Sequence, residues 1–167
     1  EDVVYVGDTG RYPYGPRDLD EVRGFSQQIT RYLVEQQRTH RPGDEVLRAG
    51  RDAGHQRVFA NQLQIVPVPV SRSPKENHFT YNDLDKKVME EHLLIINCTP
   101  LGTFPRVSDS PPIPYEYISA RHLVFDLIYN PPVTALMQTA LQNGAAVLNG
   151  QKMLELQAEY SWKIWNK

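Results

Sequence analysis

The alternation of strand-like and helix-like stretches from Leu93 to Lys167 constrains this chain more than anything else in it. An apolar run, LLIINC, breaks into TPLG, the pattern of a buried strand that ends in a tight loop. HLVFDLIYNP repeats it, and the proline pair that follows bars any continuation. In VTALMQTALQNG, Val133, Leu136, Met137, Ala140 and Leu141 fall at helical spacing, and Gly144 is placed to end the helix. AAVLNG then reads as a short strand and QKMLELQAEYSWKIW as a last helix. Strand, loop, helix, strand, helix is the rhythm of a parallel α/β sheet.

The first half extends the same pattern less cleanly. VVYVG is a short β-branched run, the kind buried in a parallel sheet, and it enters DTGRYPYGPRD, a loop dense in glycine, proline and tyrosine. Asp18 can cap a helix, with Glu21 completing a capping box and Leu19, Val22, Ile29 and Leu33 forming its apolar stripe. Residues 38–61 carry many charges and weak periodicity and give no clear element. NQLQIVPVPVSRSP resumes a strand, but Pro67 and Pro69 each remove an amide donor, which argues for an edge or irregular strand. DLDKKVMEEH reads as a short helix before LLIINC. The expectation is a three-layer, largely parallel Rossmann-like α/β sheet in a single domain. Strands are expected near 3–7, 63–70, 93–98, 122–128 and 145–149, and helices near 18–36, 133–143 and 151–165. Residues 1–37 would form the first βα unit, 38–62 a junction and 63–167 the remainder.

Composition excludes several classes of partner. At 40% hydrophobic and 23% charged, 167 residues can bury an ordinary globular core. A net charge of -2 gives no general attraction to nucleic acid or to an anionic membrane. The longest apolar runs are far too short to span a bilayer, and no secretory segment is expected at the start. Cys98 is the lone cysteine, which fits a reducing cytoplasm, and the five histidines do not fall at metal-ligand spacing. A small-molecule substrate or nucleotide is the expected partner, with a homodimer left open.

Three motifs in order, INCTPLG, DLIYNPPVT and NGQKMLELQ, resemble the C-terminal half of shikimate dehydrogenase, from about Val70 to the end of the chain. The resemblance implies an NADP cofactor and a parent reaction in which a hydride passes between NADPH and the 3-keto group of dehydroshikimate. It implies that Ser71, Arg72 and Ser73 grip the adenosine 2′-phosphate, a task suited to a forked, permanently charged guanidinium flanked by hydroxyls. A solvated loop arginine is the alternative. Asn97, Thr99, Pro100, Leu101 and Gly102 would lie along the nicotinamide side, at the carboxyl end of a strand where such sheets hold their ligands. Leu127 would back the nicotinamide, and Gly150 would allow close approach to the cofactor. The Tyr129 hydroxyl would reach the substrate, against the alternative of a core filler with its hydroxyl in water. Gln157 would bond a shikimate hydroxyl, against the alternative of a bond to nearby backbone. Cys98 reads as a small core residue rather than a nucleophile.

A second resemblance covers about residues 1–36. VVYVGDTGRYPYGPRDLDEVRGFSQQITRYL is similar to an early stretch of glutamate racemase, where the Pro-Tyr-Gly loop lies against the substrate, which implicates Tyr14 and Gly15. Neither set of catalytic groups is complete in the sequence. There is no G-x-G-x-x-G turn for the pyrophosphate, no counterpart of the dehydrogenase's catalytic lysine and aspartate, and no cysteine pair for racemisation. The expectation is an NADP-binding domain incomplete as an enzyme, with its catalytic residues unknown. The alternatives are a non-catalytic chimeric or designed fold built from α/β fragments, and a glutamate racemase remnant.

Overall fold

The computed structural model describes residues 4–8 and 66–166. The expected helix at 18–36, the junction at 38–62, and Tyr14 and Gly15 lie outside the described residues.

Six strands form one sheet: β1 (Val4–Asp8), β2 (Val66–Ser71), β3 (Phe79–Thr80), β4 (Leu94–Asn97), β5 (Leu123–Asp126) and β6 (Ala146–Leu148). Their order across the sheet is β3-β2-β1-β4-β5-β6, the doubly wound order whose direction of winding reverses beside the first strand. Among the described residues three α-helices accompany it: α1 (Lys86–Glu91), α2 (Ala135–Gln142) and α3 (Gln151–Trp165). Among the described residues no helix is long and apolar enough to cross a membrane.

Each strand follows from a short apolar run. Leu94, Ile95, Ile96, Leu123, Val124 and Phe125 are all buried, so both faces of β4 and β5 are covered, as the unbroken apolar runs require. Alternation sorts them. Val4, Val6, Val70, Ile95 and Val124 share a core with Leu84, Met89, Leu136 and Ala140, which puts α1 and α2 on one face of the sheet. Burying each such aliphatic side chain is worth about 1.5–3 kcal/mol. The helix ends are set locally. The Asp85 carboxylate accepts the Val88 amide at 2.8 Å to start α1. Thr134 caps α2, and Gly144, at φ +85°, follows its end as the sequence suggested.

Two expectations are corrected. β1 was expected to run parallel with the rest, but it pairs antiparallel with β2 (Val4↔Val70, Asp8↔Val66) and with β4 (Val4↔Asn97, Gly7↔Leu94). The other five strands point one way. The β-branched run specified a buried strand without specifying its direction, because alternating burial of Val4 and Val6 is satisfied either way. β2 was expected to be an edge strand or an irregular one, and it is a continuous strand between β1 and β3. β3 reaches only Val70 and Ser71, past both prolines. Alternate residues turn their amides to opposite neighbours, so Val66, Val68 and Val70 can bond β1 while Pro67 and Pro69 face the largely vacant side.

Candidate functional site

The ends of β2, β4 and β5 lie on one edge of the sheet. Val70 and Asn97 both register with Val4 across β1, and Asn97 registers with Asp126 on β5. Two strand spacings separate Val70 from Asn97, roughly 10 Å. The loops that leave these strands therefore face one another across the switch point, where a doubly wound sheet opens its ligand crevice.

Ser71 is buried at the end of β2, and its hydroxyl donates to the Ser73 carbonyl at 2.7 Å, which tightens the turn that carries Arg72. Arg72 and Ser73 are exposed. At the end of β4, Asn97 is completely buried. Its Oδ1 accepts the Thr99 amide at 3.0 Å and the Thr99 hydroxyl at 2.7 Å. The Thr99 Oγ1 in turn accepts the Leu101 amide at 3.2 Å. Pro100 is exposed and Leu101 half-buried. Gly102 has φ +101°, a conformation that favours glycine, and an added Cβ would stand 3.4 Å from Thr134 Cβ and 3.2 Å from the Asp109 carbonyl. The loop is thus held by its own side chains.

Past β5, the Leu127 amide donates to the Asn97 carbonyl at 3.1 Å, and Leu127 is half-buried. Gly150 is buried just before α3; its amide donates to the Ile128 carbonyl at 3.0 Å. The structure thereby brings Asn97, Thr99, Leu101, Gly102, Leu127 and Gly150 together. Tyr129 is 51% exposed, so the core-filler alternative does not hold for it. The Gln157 backbone belongs to α3, while its side chain lies outside the described residues.

Two residues at the centre of this arrangement were not anticipated. Asp126, fully buried at the end of β5, accepts Asn97 Nδ2 at 3.0 Å and the Ile128 amide at 3.1 Å on Oδ1. Its Oδ2 accepts the Thr134 hydroxyl at 2.6 Å. Burial raises the Asp126 carboxyl, against the pull of the bonds from Thr134, Ile128 and Asn97. The sequence signal was a lone carboxylate in an otherwise apolar strand, HLVFDLI, since such a group must find donors inside. Beside it, the Cys98 thiol is pushed up to about 12, first by desolvation and then by the Asp126 charge. The raised value disfavours the thiolate near neutrality, although Cys98 is half-buried rather than fully enclosed. Among the described residues no group of three His, Cys, Asp or Glu could hold a metal ion.

No protein-family model matches the chain. It is 38% identical over 84 residues to the shikimate dehydrogenase (NADP(+)) of Desulforamulus reducens, which is 50% of this chain and 29% of that protein. The corresponding protein of Halothermothrix orenii is 44% identical over 72 residues, 43% of this chain and 25% of the relative. The chain is similar to shikimate dehydrogenase over about half its length. Among solved structures, a chorismate mutase/shikimate 5-dehydrogenase fusion protein from Clostridium acetobutylicum matches at a TM-score of 0.50 and 34% identity. That match covers 58% of this chain and 37% of the fusion protein. The chain thus spans well under half the length of the relatives it matches.

Proposed function

We propose that the chain is an NADP-binding α/β domain of the shikimate dehydrogenase kind. The observation that supports it most is the convergence of the loops after β2, β4 and β5 at one edge, astride the switch point of a β3-β2-β1-β4-β5-β6 sheet. The residues fit the two ends of the dinucleotide. Ser71, Arg72 and Ser73 would hold the 2′-phosphate, where a guanidinium can make charge-assisted bonds. The Asn97–Gly102 loop, Leu127 and Gly150 would hold the nicotinamide side. For the pyrophosphate, a doubly wound sheet ordinarily offers the turn after its first strand. Here Asp8 registers with Val66, at the start of β2, so β1 ends on the opposite edge. When bound, NADPH supplies a hydride; the described residues would position and shield it. Tyr129 and Gln157 are proposed to meet a small polyhydroxylated substrate in the parent reaction.

An NADPH fluorescence titration tests this reading. Saturable enhancement is the expected result, and its absence at millimolar NADPH rejects the reading.

A second reading has one observation in its favour. The reversed β1 sits between strands that otherwise keep the parallel order, as expected of a segment of different origin joined to the dehydrogenase-like part. We therefore propose residues 1–36 as a racemase-like segment, without racemase activity, in a recombined chain. Amplifying the source DNA across codons 36–66 decides it, since a chimera made outside the organism yields no continuous product.

A further inference from the structure

We infer that Asp126 is the positioning residue of the nicotinamide-side pocket, the group on which the loops after β4 and β5 and the start of α2 all meet. The inference rests on the NADP-binding reading. Three elements meet on a single carboxylate. Through Asn97 it fixes the loop as far as Leu101, because Asn97 holds Thr99 and Thr99 holds the Leu101 amide. Through the Ile128 amide it fixes the segment after β5, whose Ile128 carbonyl receives the Gly150 amide. Through Thr134 it fixes the first turn of α2, since Thr134 Oγ1 also accepts the Met137 amide at 3.3 Å. Thr134 is also what Gly102 packs against. Every residue assigned to the nicotinamide side, Pro100 excepted, is therefore one to three links from Asp126, whereas the Ser71–Ser73 turn shares none of these bonds.

Two of the three contacts require an acceptor, and the third is made by a hydroxyl that donates here. Asn97 Nδ2 and the Ile128 amide can only donate, and Thr134 Oγ1, already accepting from Met137, has its proton directed at Oδ2. An asparagine has the same shape but no charge, and its amino group can face only Thr134, whose hydroxyl must then turn its proton away and accept. The Asn97 and Ile128 bonds become neutral and the Thr134 bond is reversed, so all three links weaken.

The test measures binding of NADP+ and of 2′,5′-ADP by calorimetry to the full chain and to Asp126→Asn, with circular dichroism reporting the fold. The 2′,5′-ADP carries the phosphoadenosine end and no nicotinamide. The expected result is a folded variant that binds NADP+ roughly ten- to hundredfold more weakly and keeps its affinity for 2′,5′-ADP. Parallel losses for both ligands, or no loss for either, overturn the inference. If Asp126→Asn does not fold, Thr134→Val and Thr134→Ser decide instead. Weakened NADP+ binding in the first and recovery in the second support the inference, and wild-type binding by Thr134→Val overturns it. Failure of the unaltered chain to bind either ligand rejects the NADP reading and this inference with it.

Discussion

Gly150→Ala should be the most damaging single-methyl change in the described part of the chain. Gly150 has φ −76° and ψ 0°, a conformation any residue adopts, so the backbone itself makes no demand for glycine. The demand comes from the neighbour: an added Cβ would collide with the Leu127 carbonyl oxygen and lie 2.6 Å from its carbon. Both are backbone atoms of the segment just after β5, which is pinned by the Leu127 amide on Asn97 and the Ile128 amide on Asp126. The methyl must therefore push the start of α3 away from the segment after β5. Overpacking of this kind costs about 1–3 kcal/mol, and losing the Gly150–Ile128 bond adds roughly 0.5–1.5 kcal/mol. Reduced freedom of the unfolded chain returns about 0.4–1 kcal/mol. The net destabilisation is centred on about 2 kcal/mol, read by urea unfolding followed by circular dichroism. Gly144→Ala is the control, because Gly144 has φ +85° but ample room, with Ala120 Cβ 3.5 Å away. It should lose only the left-handed penalty of about 1–2 kcal/mol. If Gly150→Ala unfolds within about 0.5 kcal/mol of the parent, the usual scatter of innocuous changes, the close approach of Gly150 to the Leu127 backbone is wrong.

Three further outcomes are expected. Asp85→Ala should cost about 0.5–2 kcal/mol in the same assay by uncapping α1, and an unchanged midpoint would show the cap to be immaterial. His122 accepts the Ser119 amide on Nδ1 at 3.0 Å and stands 3.0 Å from the Met89 carbonyl through Nε2, so the buried ring is neutral, and burial lowers its pKa. Its stabilising effect is full above the unfolded value of about 6.5 and is lost as pH falls toward the lower folded value; a plot of stability against pH should bend downward there, and a bend unchanged in His122→Gln would belong to other groups. Alkylation of Cys98 by iodoacetamide at pH 8 should be far slower than for a free thiol, and a rate matching free cysteine would contradict its desolvation.

The sequence made the second half of the sheet legible because its period and punctuation agree. LLIINC, HLVFD and AAVL give strands within a residue or two of those observed, and Gly144 ends α2 as its position in the sequence suggests. Direction was not legible in VVYVG, because burial of alternate valines is the same for either orientation and pairing depends on distant partners. Pro67 and Pro69 misled for a related reason: whether a missing amide matters depends on which side the neighbour lies, and β3 is too short to need it. At the site, Asn97, Thr99 and Gly102 could be singled out by motif, whereas Asp126 and Thr134 became visible only when their partners, 29 and 8 residues apart, were brought together. The lone buried carboxylate in HLVFDLI was the available clue.

The central claim is that the edge above β2, β1 and β4 holds NADP by its 2′-phosphate, and Arg72→Ala tests it most directly. NADPH and NADH should be titrated into the parent chain and the variant under identical salt, since they differ only in that phosphate. A charge-assisted contact worth roughly 1.5–3 kcal/mol corresponds to about one to two powers of ten in affinity. The expected result is NADPH binding weakened by that factor in Arg72→Ala with NADH unchanged, so that the preference for NADPH collapses. Equal losses for the two cofactors, or an undiminished preference for NADPH, contradicts the assignment.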